Sequence, residues 1–269
     1  MAIKKSLVVI ATMAAAVFGA ALQGPDDCAA VEPSAELRAA AAEMAAEEEA
    51  AANKPTGKIA AAEVNVPVYI HVIAKSKSKA DGYLSESDVR ATIDGMNGDY
   101  SGLGFQFTVK GVDHTINAAW AQDQDEMGMK KQLRKGDYRT LNLYYLPTLG
   151  YNGLCYFPEK VTSGSTKFYR DGCTVRSDVH NNGQTTTHEV GHWLGLFHTF
   201  QDGCDPVNDM VADTPALINS WSCNQNDDSC PDMPGKDPVT NFMSYGTCRS
   251  VFTDGQAARM SSMYNKFRA

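Results

Sequence analysis

His188, Glu189, His192 and His198 combine side chains that bind a transition metal with one that moves protons, at a spacing that permits both. His188 and His192 are four residues apart, so on a helix both imidazoles leave the same face. One zinc ion can take a nitrogen from each at about 2.0–2.1 Å. Glu189 points in a neighbouring direction and reaches a water on the metal instead of the metal itself. His198 lies six residues beyond His192 and cannot join from the same straight helix. Gly195 supplies the sharp turn that brings it back, because glycine enters positive φ without a Cβ clash. Three histidines leave the fourth position of a tetrahedral zinc open for water, as in a catalytic site. Zinc would lower the pKa of that water toward ~7 and polarise a carbonyl. Glu189 would take the proton and hand it to a leaving amine. The expected chemistry is hydrolysis of a peptide bond without a covalent intermediate. The other three histidines, His71, His114 and His180, are expected to pack or to face solvent.

Alternation of β-branched and aromatic residues predicts strands over 64–73, 102–112, 141–146, 153–157 and 173–179. A helix is predicted from about Ser85, with Ser85 and Asp88 at capping-box spacing, and the metal helix over 184–196. Beyond His198 the chain is rich in Asp, Asn, Gly, Pro and Cys, and a last helix is predicted from 254 to 267. This mixture of elements is an α+β pattern.

The first residues read as an export signal. Lys4 and Lys5 precede an apolar run from Leu7 to Ala21, with Gly19 and Ala21 at cleavage-site positions, so 1–21 is assigned as a signal peptide. Residues 22–60 are assigned as a propeptide. They include an Ala/Glu-rich helix former from Ser34 to Ala52 with a poor apolar face, broken by Asn53, Pro55 and Gly57. The catalytic domain is then 61–269. No later stretch is long and apolar enough to span a bilayer, so no membrane association is expected after signal cleavage. The product is expected to be secreted and extracellular. Of seven cysteines, Cys28 falls in the propeptide; the remaining six suit three bridges in an oxidising compartment. The formal net charge of -8 argues against a nucleic-acid partner.

The run His188 to His198 spells HExxHxxGxxH, and with Asn241-Phe242-Met243-Ser244-Tyr245 it resembles the metzincins. Further stretches resemble the pappalysin group, including its secreted fungal and bacterial members. These are Asp213-Thr214-Pro215, Asp237-Pro238-Val239, Phe252 to Gln256, and Arg259-Met260. The resemblance implies a metzincin fold. An upper half, about 64–198, would hold a twisted mixed sheet, a backing helix and the zinc helix. A loop-rich lower half, about 199–269, would carry the methionine turn. It implies a zinc endopeptidase with Met243 beneath the ligands and Tyr245 hydrogen-bonding the tetrahedral intermediate. It also implies bridges Cys155–Cys173, Cys204–Cys230 and Cys223–Cys248. Cys28 would cap the zinc in a latent zymogen. Calcium would be held by oxygens of Asn208, Asp209 and Asp213. Some relatives use an acid before the cysteine that follows the methionine turn to select a basic substrate residue. Thr247 stands there instead, which points to an apolar or broad preference. The expected partner is an extended peptide or protein substrate, added to the sheet edge near Leu154 to Phe157 of a monomer. The alternative is a secreted metal-binding adhesion module without turnover.

Overall fold

The computed structural model describes residues 28–29, 31–52, 63–218 and 220–269. The assigned signal peptide and the boundary between propeptide and catalytic domain lie outside the described residues. The elements are α1 (Ala35–Ala52), β1 (Val64–Ala74), α2 (Glu86–Asp99), β2 (Phe105–Ile116), α3 (Glu126–Leu133) and β3 (Leu141–Leu146). They continue as β4 (Gly153–Cys155), α4 (Thr166–Arg170), β5 (Cys173–Arg176), α5 (Thr185–Trp193) and α6 (Asp254–Phe267).

The strands form one sheet in the order β2-β1-β3-β5-β4. The first four run parallel, and β4 lies antiparallel to β5 at the edge. β1 shows why the sheet is covered on both faces. Val66, Val68, Ile70 and Val72 pack with Val89, Ile93 and Met96 of α2 and with Val190 and Trp193 of α5. Ile73 turns the other way, into a second cluster with Tyr144, Trp120, Met129 and Leu133. Parallel strands covered twice read as continuous apolar runs. α5 is therefore trapped between sheet and lower half, with all nine of its residues buried.

The fold corrects several sequence-level bounds. β4 and β5 stop at Cys155 and Arg176, short of the predicted 157 and 179. α5 ends at Trp193, because Gly195 takes φ +96° and turns the chain. The short helices α3 and α4 lack a usable period and escape the pattern. Ser85 makes the expected capping box with Asp88, and Thr253 makes a second one with Gln256 at the head of α6.

The back of α5 is fixed by buried charge. Asp171 receives Arg268 at 3.0 Å and Arg134 at 3.3 Å. The Arg268 guanidinium also lies 3.7 Å from the Trp193 ring centroid, and its Nε donates to the Trp193 carbonyl at 3.1 Å. Asp171→Ala would leave two buried guanidinium groups uncompensated. It is expected to cost about 3–5 kcal/mol of stability, measurable as a lower urea midpoint.

α1 is docked on the body and is not a detached spacer. Leu37, Ala41 and Met44 are buried against Phe197 and against Met263 of α6. Arg38 pairs with Asp202 at 2.6 Å, Glu43 with Lys266 at 2.7 Å, and Glu48 with Arg259 at 2.9 and 3.1 Å. The face looks weak in the sequence because alanines supply much of it. Their small side chains let the helices approach closely.

Candidate active site

α5 presents His188 and His192, and the turn at Gly195 returns His198 to them. Their Nε2 atoms form a triangle of 3.1, 3.1 and 3.2 Å. The other ring nitrogen of His188 donates to the Phe242 carbonyl at 2.6 Å, and that of His192 to the Leu196 carbonyl at 2.8 Å. Those carbonyls assign the tautomer of His188 and His192 and leave their Nε2 lone pairs facing inward. Burial first, then the neighbouring imidazoles, hold His188 and His198 well below the usual histidine range; burial brings His192 to about 4. Three buried neutral acceptors aimed at one point repel each other unless a cation sits between them. Zinc at about 2.0–2.1 Å from each nitrogen requires a tetrahedral nitrogen separation of about 3.3–3.4 Å, close to the triangle observed. The donor set therefore fits zinc.

The supports are steric. A Cβ on Gly191 would meet the Met243 sulfur at 2.5 Å, so the methionine underlies the helix because position 191 has no side chain. A Cβ on Gly195 would strike Met263 at 2.6 Å, which ties the ligand turn to α6. Glu189 is fully buried against the backbone of β4, where a Cβ on Gly153 would lie 2.5 Å from its carboxylate oxygen. Burial pushes its pKa up to about 8, opposed by the Cys28 side chain, Arg249 and the Cys155 backbone.

Tyr245 lies over the ligands, its ring centroid 5.0 Å from that of His198 and 5.9 Å from that of His188. Its hydroxyl donates to the Cys28 carbonyl at 3.2 Å. The next residue, Ala29, donates its N–H to the carbonyl of Gly153 at 2.9 Å, along the free edge of β4. The Cys28 sulfur joins the three histidine nitrogens, all four atoms lying within 4.8 Å of one another. Among the described residues no other group of three or more His, Cys, Asp or Glu side chains converges in this way.

The structure bonds Cys155 to Cys173 across β4 and β5, Cys204 to Cys230, and Cys223 to Cys248. Asn208 and Asp213 are engaged by hydrogen bonds within the protein. The Asn208 amide donates to the Thr214 carbonyl, and both Asp213 oxygens accept from Thr253 and Gly255 at the start of α6. Asp209 accepts from Val211 and Thr214 through Oδ1, while Oδ2 has no hydrogen-bond partner. His71 is buried between Asp113 and Asn142, His114 bonds to the Leu84 carbonyl, and His180 to that of Ser177. Gly153, Asp171 and Arg249 were not singled out from the sequence. Only Gly153, a glycine inside a strand pattern, carried a signal, that of close backbone approach.

A glycine-ended helix that returns a third histidine to the first two, with a methionine beneath and a mixed sheet behind, defines a metzincin metalloendopeptidase. The model of the peptidase M43 family, described as pregnancy-associated plasma protein-A, matches residues 142–265. An extracellular metalloprotease of Sordaria macrospora is 45% identical, the match covering 98% of each chain. One from Pyricularia oryzae is 47% identical, covering 90% of this chain and 89% of the other. In fold, the chain is similar to a promirolysin mutant of Tannerella forsythia: TM-score 0.64, 19% identity, 89% of this chain and 94% of that one. The chain belongs to the peptidase M43 (pappalysin) family of secreted, extracellular metalloproteases.

Proposed function

We propose that the chain is made as a latent precursor and, once freed of its N-terminal segment, cuts extended peptides with Glu189 as general base. The observation that carries the reading is a fully buried carboxylate beside three histidine nitrogens converging on one point. His188, His192 and His198 would hold zinc, which supplies Lewis acidity toward water and the scissile carbonyl. Glu189 takes a proton on its carboxylate and returns it to the departing amine. Tyr245 Oη donates a hydrogen bond to a carbonyl oxygen in the cleft, the same contact it makes with Cys28. The edge of β4 binds the peptide backbone by strand addition, as it binds Ala29.

Cys28 supports the latent state. Its sulfur gathers with the three histidine nitrogens, and its carbonyl occupies the donor of Tyr245. A thiolate is a strong zinc ligand and excludes that water.

The experiment is chelation of the processed protein during cleavage of a quenched peptide. Turnover should stop, return with zinc, and not return with calcium alone. Cleavage that survives complete metal removal would end the reading. Calcium in the 205–214 loop would draw on Asp209 Oδ2 and backbone carbonyls. Its binding should raise the melting temperature of zinc-loaded protein without changing turnover.

A further inference from the structure

Arg249 is a cation in the cleft that the proposed mechanism does not use. It follows Cys248, whose bond to Cys223 fixes the strand of chain after the methionine turn. Its Nε donates to the Gly246 carbonyl at 2.8 Å and its Nη1 to the Ser244 carbonyl at 3.3 Å. Those two carbonyls flank Tyr245, so the guanidinium is pinned beside the tyrosine that covers His188 and His198. From the opposite side, the Gln184 amide donates to the carbonyls of Thr247 and Arg249 at 2.6 and 3.2 Å, clamping the loop to the start of α5. The side chain is only partly exposed, and among the described residues no carboxylate lies within ion-pairing distance of it. The ionisable groups nearest to it include Glu189 and Cys28 of the cleft. The Nη2 donors make no hydrogen bond among the described residues, and the Nη edge is the face that grips carboxylates in a two-point fork.

We propose that Arg249 selects substrates carrying an aspartate or glutamate next to the scissile bond. This rests on the protease reading and names its specificity. It replaces the apolar or broad preference expected from Thr247: position 247 is exposed, and the charge that faces the cleft comes two residues later. A fixed, partly desolvated cation without a carboxylate partner attracts an acidic side chain. It repels lysine or arginine, because like charges in a low-dielectric contact disfavour binding strongly. The disulfide and the Gln184 clamp hold it in place before substrate arrives, so little ordering entropy opposes the contact.

The test uses active, zinc-loaded protein and one peptide framework with Ala, Glu or Lys on either side of the cut bond. Wild type should favour Glu over Lys by about tenfold or more in kcat/KM at one of the two positions, an effect that weakens with added salt. Arg249→Gln should level the series, and Arg249→Glu should invert it. On Glu189→Ala protein, the Glu peptide should bind more tightly than the Lys peptide by calorimetry, and Arg249→Gln should erase the difference. If wild type shows no acidic preference, the proposal is wrong. It is also wrong if Arg249→Gln and Arg249→Lys slow all three peptides by one common factor, since that is the signature of a brace for the turn. Failure to cut even the Ala peptide with zinc bound would instead overturn the protease reading beneath it.

Discussion

Glu189→Gln is expected to lower turnover by ~10²–10⁴-fold, the range that a positioned general base contributes, with zinc content and fold unchanged. Glutamine keeps the volume that fits against Gly153 and keeps an oxygen near the same point, so the packing of α5 is preserved. It cannot carry the proton between water and leaving amine. The position has no stand-in: the other carboxylates that meet α5, Asp99 and Asp171, are taken up by Thr187 and by Trp193 and Arg268, and Tyr245 directs its hydroxyl at a carbonyl. Zinc by atomic absorption, folding by circular dichroism and kcat on a quenched peptide separate the possibilities. A loss smaller than about tenfold, with full zinc, would take the base role away from Glu189.

The metal helix was legible because its chemistry is local. His188, Glu189 and His192 sit within one and a half helical turns, and Gly195 marks the end of the helix. β1 and β3 were legible because their alternation and apolar runs coincide with real burial. What escaped was set by contacts far apart in sequence. Asp171 is an ordinary loop acid until Arg134 and Arg268 close on it, the second from 97 residues away. The loop of Arg249 is held by Gln184 and by the bridge from Cys223, both distant in sequence and without a local signature. α1 misled in another way. Its apolar face is built from alanines and one leucine and methionine, which score poorly alone but match the groove formed by Phe197 and Met263. Its acids Glu43 and Glu48 are ion-paired to α6, and its Arg38 to Asp202 in a loop.

The precursor carrying Cys28→Ser is expected to turn over substrate more than about tenfold faster than the unmodified precursor, the change that about 1.4 kcal/mol of lost inhibition produces. Serine removes the thiolate but keeps the backbone that bonds Gly153 and Tyr245, and α1 still holds the segment in the cleft. Inhibition should therefore be reduced and not abolished. Acid should act on the second holdfast. Asp202 is held below the usual carboxylate range chiefly by its hydrogen bond to Arg38, and Glu43 by its hydrogen bond to Lys266. A carboxyl whose pKa is lower docked than undocked favours docking while ionised. That contribution is complete above the undocked pKa and is lost as pH falls through the docked one. Reaction of Cys28 with an acid-competent disulfide reagent should consequently accelerate as pH drops below ~4. Arg38→Ala should shrink the step, because Asp202 then titrates alike in both states. A labelling rate that ignores Arg38 across this range would mean that α1 docks without help from its ion pairs, and that Cys28 alone keeps the precursor silent.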